Sequence, residues 1–192
     1  MEYTVKVDKA GTVQYYKPGT FSLHREDGPA VEYTNGYKAW YKEGKRHREG
    51  GPAIKYSCGA ESWFINGKLH REDGPAVIRP GYKAWFKEGM HHREGGPAIK
   101  YSDGAENWFI NGKLHREDGP AIIHSTGYKA WYKEGMRHRE DGPAREKPSG
   151  RKEWYIEDKA LSEEEFKNRT KEAKVCTFTV PKGTTQIRIQ FE

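Results

Sequence analysis

Six copies of one polar run hold most of this chain's potential chemistry: His-Arg-Glu-Asp-Gly-Pro-Ala at His24, His70, His115 and His138, and His-Arg-Glu-Gly-Gly-Pro-Ala at His47 and His92. An imidazole, a guanidinium and one or two carboxylates beside glycine are the parts of a general acid–base cluster, an anion cradle, or the turn of a repeat array. Catalysis requires one pocket around one reacting group, whereas six regular copies with no persuasive nucleophile point to architecture. The chain is therefore expected not to be an enzyme. As an anion site, Arg25, Arg48, Arg71, Arg93, Arg116 and Arg139 would offer planar forks, and His24, His47, His70, His92, His115 and His138 would add donors. As a turn, the run reads differently. Asp73 is exchanged for Gly50 and Gly95 in two copies, the mark of a position that turns or goes left-handed. Gly74 before Pro75 is held extended, Pro75 suits the start of a strand, and Ala76 leaves room for a neighbouring ring. The arginine of one copy would then reach a carboxylate of the next, about 9.5 Å away across two strand spacings.

The elements that position these runs follow from spacing. The six histidines recur at intervals of 23, 23, 22, 23 and 23 residues, and Trp40, Trp63, Trp85, Trp108, Trp131 and Trp154 at 23, 22, 23, 23 and 23. A fixed period in the twenties signals stacked supersecondary units. Units of two types alternate: GYKAW(Y/F)KEG begins at Gly36, Gly81 and Gly127, and WFINGKLHREDGPA at Trp63 and Trp108. Aromatic runs such as AESWFI and YKAWYK, separated by NG, EG, SDG and TNG turns, read as strands. The expected fold is all-β: an elongated single-layer antiparallel meander of six hairpins, about twelve strands. Strand alternation places Lys38, Trp40 and Lys42 on one face, and likewise Glu61, Trp63 and Ile65. The tryptophan row either packs on Ala and Ile of neighbouring strands under lysine stems, or forms an aromatic, basic groove that grips a base or a protein.

Composition bounds the function. Charged residues are 32% and hydrophobic ones 34%, with 6 Trp, 12 Tyr and 7 Phe, so an aromatic, surface-rich β-structure is expected in place of a conventional aliphatic core. The net charge of +6 sums 34 basic and 28 acidic residues with no basic block, which permits nucleic-acid binding without indicating it. Cys58 and Cys176 form no disulfide framework, and the histidines lack the paired spacing of a zinc site, so no metal and no cofactor are expected. No signal peptide and no membrane span are read, and the expected location is cytoplasmic.

The ends depart from the repeat. Residues 1–20 read as N-terminal capping strands, residues 21–158 as the array, and residues 159–192 as a C-terminal cap. Within that cap, Ser162 and Glu165 make a capping box for a helix over 162–173, followed by a hairpin over 174–191 with one apolar face.

The motifs WFINGKLHREDGPAVI and WYKEGKRHREGGPAIKYSCG resemble the MORN repeat over residues 21 to 158. The resemblance implies an extended meander of hairpins used for scaffolding, protein binding and sometimes lipid contact. In the usual MORN turn glycine follows the histidine directly, whereas here Arg71, Glu72 and Asp73 intervene before Gly74. The HREDGPA form looks like proteins encoded by bacteriophages, which implies a non-enzymatic inhibitor that sequesters or blocks a host defence protein in the host cytoplasm. Two alternatives stay open: a sponge for a small anionic, nucleotide-type signal, and a structural scaffold.

Overall fold

The computed structural model of the protein describes residues 2–173, so the expected hairpin over 174–191 lies outside the described residues. Its core is a 15-stranded antiparallel sheet in which every strand pairs with its neighbours in chain order. Thr4–Val7 and Val13–Tyr16 open it, twelve strands from Val31–Glu32 to Lys152–Ile156 follow, and Lys159–Leu161 closes it. The meander is thus the one that periodicity predicts, followed by one helix among the described residues, α1 (Glu163–Ala173). Ser162 caps α1 as its sequence requires: the Glu165 amide donates to Ser162 Oγ at 3.1 Å, and the Ser162 amide donates to Glu165 Oε2 at 2.7 Å.

Sequence reading takes each aromatic run as one continuous strand, but the structure interrupts it at the tryptophan. Before Trp63, Glu61–Ser62 belongs to the main sheet; after it, Phe64–Ile65 pairs with Lys68–Leu69 in a small side hairpin. Five such side hairpins recur. Their two turn residues both have positive φ, for example Asn66 (50°) with Gly67 (85°) and Glu88 (51°) with Gly89 (83°). That is the geometry of the type I′ turn, whose twist matches flanking strands.

One face of the main sheet carries a thin core. Val31, Ala39, Ile54, Ser62, Val77, Ala84 and Ile99 lie opposite one another strand by strand, and each is at most 7% exposed. Tyr37, Tyr41, Tyr56 and Phe64 flank the first half of this row, and Tyr82, Phe86 and Phe109 the second. Aromatic side chains therefore do the work of a second layer, each burying large area for little chain. The row becomes ionic in the last repeat. Arg145 stands opposite Ala130 and Glu153, with Nη1 2.8 Å from Glu153 and Nε donating to Tyr128 Oη at 3.0 Å. Lys147 and then Arg145 hold the Glu153 carboxyl below its ordinary range. The repeat here gives way to Lys159–Leu161, which pairs with Lys152–Ile156.

Alternation sends the other residues to the opposite face. There Glu32 pairs with Lys38 at 3.2 Å, and Lys100 with Glu106 at 3.4 Å. The same face carries the tryptophans and the histidine–arginine loops.

Candidate functional site: a row of loops and clefts

Each His-Arg-Glu run is an excursion in a strand. The Trp63 amide donates to Ala76 O at 2.7 Å, and the His70 amide donates to Trp63 O at 3.1 Å. Trp63 therefore faces both ends of a loop of residues 71–75, and Ala76, with 0% exposure, is its cross-strand partner. The same pair of bonds begins at Tyr15, whose amide donates to Ala30 O and whose carbonyl accepts from the His24 amide. Val13–Tyr16 thus already follows the repeat, with tyrosine standing where later units have tryptophan.

The arginines fold back into their own loops. Arg48, Arg71, Arg93, Arg116 and Arg139 each place Cζ 3.8 to 4.1 Å from the ring centre of Trp40, Trp63, Trp85, Trp108 and Trp131, and Arg25 lies 3.9 Å from that of Tyr15. Each Nη1 also donates to the carbonyl of the loop's proline, as from Arg71 to Pro75 O at 3.4 Å. Nε donates to the aspartate two residues on: Arg25 to Asp27 at 2.9 Å, Arg71 to Asp73 and Arg116 to Asp118 at 2.8 Å, and Arg139 to Asp141 at 2.7 Å. These bonds hold all four aspartates below the ordinary carboxylate range. The expected ladder from one unit's arginine to the next unit's carboxylate is replaced by closure within the loop. The reason is geometric: with the guanidinium stacked on Trp, Nε meets the loop's own aspartate and Nη1 its proline carbonyl.

Two glycines of the loop have different physical roles. At Gly74 a Cβ would sit 3.0 Å from Arg71 Cζ, and at Gly28 2.8 Å from Arg25 Cζ, so this glycine makes room for the guanidinium. Gly50 and Gly95 instead adopt φ of 70° and 68°. The aspartates in the equivalent position of the other loops do not have positive φ. The Asp/Gly exchange, read from sequence as a position that turns or goes left-handed, is therefore a choice between two ways to close the loop.

The histidines join neighbouring units. Nδ1 of His24, His47, His70, His92 and His115 accepts the amide of Glu43, Asn66, Glu88, Asn111 and Glu134 at 3.1 to 3.2 Å. Those acceptors' partners are the first residues of the side-hairpin turns, all with positive φ. Each imidazole thus fixes a turn that a bulky residue would otherwise adopt at a cost. Nε2 of the same five rings lies 3.6 to 3.8 Å from the loop's own glutamate, and in His138 the corresponding distance to Glu140 is 3.2 Å. Ion pairs reinforce the joint between units: Lys17 with Glu43 at 2.7 Å, Lys68 with Glu88 at 3.4 Å and Arg137 with Asp158 at 2.6 Å. His91 does none of this. It lies on the apolar face, its ring 4.1 Å from Phe86 and 5.2 Å from Phe109, and burial lowers its pKa. Adjacent in sequence, His91 and His92 serve opposite faces.

Between successive loops open clefts, floored by tryptophan. Clefts of 480, 490 and 660 Å³ surround Trp40 with Lys42, Trp85 with Lys87, and Trp131 with Lys133. A smaller one of 230 Å³ surrounds Trp108 with Ile110. The cleft at Trp108, in the other unit type, is thus smaller and has Ile110 in place of a lysine. Lys42, Lys87 and Lys133 make no ion pair among the described residues, so arginine rather than lysine covers the tryptophan. Their place beside the clefts escapes a search for histidine and arginine runs, although the WYK and WFK triplets mark it. Glutamates stand at the rim, with Glu49, Glu72, Glu94 and Glu117 between 84 and 87% exposed.

No protein-family model matches the chain, and no curated protein matches it in sequence. No helix among the described residues is long and apolar enough to cross a membrane.

Proposed function

We propose that the chain is a non-enzymatic binding protein that holds a partner protein along its row of tryptophan-floored clefts. The observation that carries this reading is that the three larger clefts share one design: an indole on the floor, an unengaged lysine, and an exposed glutamate rim. Equivalent clefts lie about 19 Å apart, four strands at about 4.8 Å each. A row of that length suits a macromolecular surface better than one small molecule. Loop arginine and histidine are engaged in loop closure and unit joining, which supports an architectural role for them. The likeness of the repeats to MORN proteins supports protein binding, and the HREDGPA form supports a host protein as the partner and inhibition as the outcome.

Affinity capture from a bacterial lysate tests the reading with two baits, the native chain and a triple variant Lys42→Glu, Lys87→Glu and Lys133→Glu. These lysines are exposed, so the variant keeps its fold, verified by circular dichroism. The expected result is a discrete protein retained by the native chain and bound on the order of tenfold more weakly by the variant. Equal retention by both baits, or no retained protein, overturns the proposal.

A further inference from the structure

The two loop types differ in what they leave for a partner. In four loops the Nε edge of the arginine is occupied by the chain's own carboxylate, from Asp27, Asp73, Asp118 or Asp141 at 2.7 to 2.9 Å. At Arg48 and Arg93 that carboxylate is missing, because Gly50 and Gly95 stand in its place. Both arginines keep the stack on tryptophan and the bond to proline, and neither makes an ion pair among the described residues. A Cβ added at Gly50 or Gly95 would meet nothing within 4 Å, so a side chain there is opposed by the left-handed φ and not by a neighbour. Each of these arginines also shares its cleft with a lysine that has no carboxylate: Arg48 with Lys42, and Arg93 with Lys87. The third large cleft lacks this combination, since Asp141 closes on Arg139 beside Lys133.

We propose that Arg48 with Lys42, and Arg93 with Lys87, form two carboxylate-binding sites that take aspartate or glutamate side chains of the partner protein. The proposal rests on the protein-binding reading above and names the chemistry of that partner. The chain itself supplies the template: in the other four loops an aspartate carboxylate occupies this position against a guanidinium posed in the same way. A fork held flat on an indole is pre-organised, so little side-chain freedom is lost when a carboxylate docks. The lysine adds a second cation at the same cleft. With the sites about 19 Å apart, the partner presents two acidic side chains at that separation.

The test uses the full chain and two probes: acetyl-aspartate amide, and a seven-residue peptide with aspartate at both ends, which spans about 20 Å when extended. The readout is the NMR signal of each arginine Nε–Hε group. The Arg48 and Arg93 signals are expected to shift on titration while those of Arg71 and Arg116 stay in place. The two-ended peptide is expected to bind on the order of tenfold or more tightly than the single aspartate. Gly50→Asp and Gly95→Asp are expected to abolish the two shifts, by supplying the internal carboxylate that the other loops already accommodate. Lys42→Met and Lys87→Met, which leave the loops untouched, are expected to weaken the response several-fold. Parallel shifts of all six arginines, no shift at all, or shifts with inorganic phosphate but not with the peptide overturn the assignment. A lysate protein retained in the absence of these shifts would leave the binding reading standing and remove this one.

Discussion

The aspartate loops and the glycine loops reach the same shape by different physics. In the loop of residues 70–74, Asp73 accepts from Arg71 Nε at 2.8 Å and holds the turn through a side chain. In the loop of residues 92–96, Gly95 takes φ of 68° and the backbone holds itself. Both put a guanidinium about 4 Å above an indole. What is conserved in geometry is therefore the arginine–tryptophan stack, while the closure is interchangeable. The lesson is that an exchange between aspartate and glycine identifies a loop by what it leaves constant, and that the cost of the exchange appears elsewhere, as an open guanidinium edge.

The sharpest way to break this comparison is to remove the stack itself. Gly74→Ala sets a Cβ against Arg71, 3.0 Å from Cζ, and is expected to displace the guanidinium and destabilise the protein by about 2 kcal/mol. Urea denaturation followed by tryptophan fluorescence measures it; an unchanged midpoint would show that the stack is dispensable. Gly95→Ala is the matched change in the other loop. It meets no neighbour within 4 Å but keeps a left-handed φ, so the expected loss is about 1 kcal/mol with the Arg93 stack intact.

The histidine joint is common to both loop types, so its removal should not distinguish them. His70→Phe and His47→Phe each delete the acceptor for a turn amide of the next unit, and each is expected to cost about 1 kcal/mol. A large difference between the two in denaturant midpoint would mean that Glu88 and Asn66 depend on the imidazole unequally. The smallest expected effect separates the loops by pH. Asp73 and Asp118 have native pKa values below their ordinary 3.8. Their contribution is fully present above 3.8 and is lost as pH falls through the depressed native value. The native chain should therefore lose more stability below pH 3.8 than the variant Asp73→Gly, Asp118→Gly, which keeps only the Asp27 and Asp141 closures. Urea midpoints at two acidic pH values test the sign.

Much of the fold was legible because local signals agreed with the period. Trp40 to Trp154 mark the strand positions, the Gly-containing turns mark the reversals, and Ser162 with Glu165 marks the start of α1. The break in each strand was not legible, because Phe64 and Ile65 alternate as a continuous strand would and only hydrogen bonding decides where they pair. The left-handed Glu43, Glu88 and Glu134 were also hidden, since glutamate does not favour positive φ and the imidazole that satisfies its amide comes from the preceding unit. The candidate residues were found, yet their grouping was not: the runs of His, Arg and Glu are contiguous in sequence, whereas a cleft combines one loop, the next loop and a tryptophan strand between them.

The sequence by itself determined the period, the antiparallel meander and the alternation of two unit types, because each depends on residues within about one repeat of one another. Only the tertiary structure decided that Arg71 turns back onto Trp63 and its own Asp73, that His70 serves the next unit's turn, and that Arg48 and Arg93 keep an edge free of carboxylate. Those outcomes depend on where a flexible side chain finds its nearest partner once strands are stacked. Composition supplies many cations and anions, but distance alone selects the pairs.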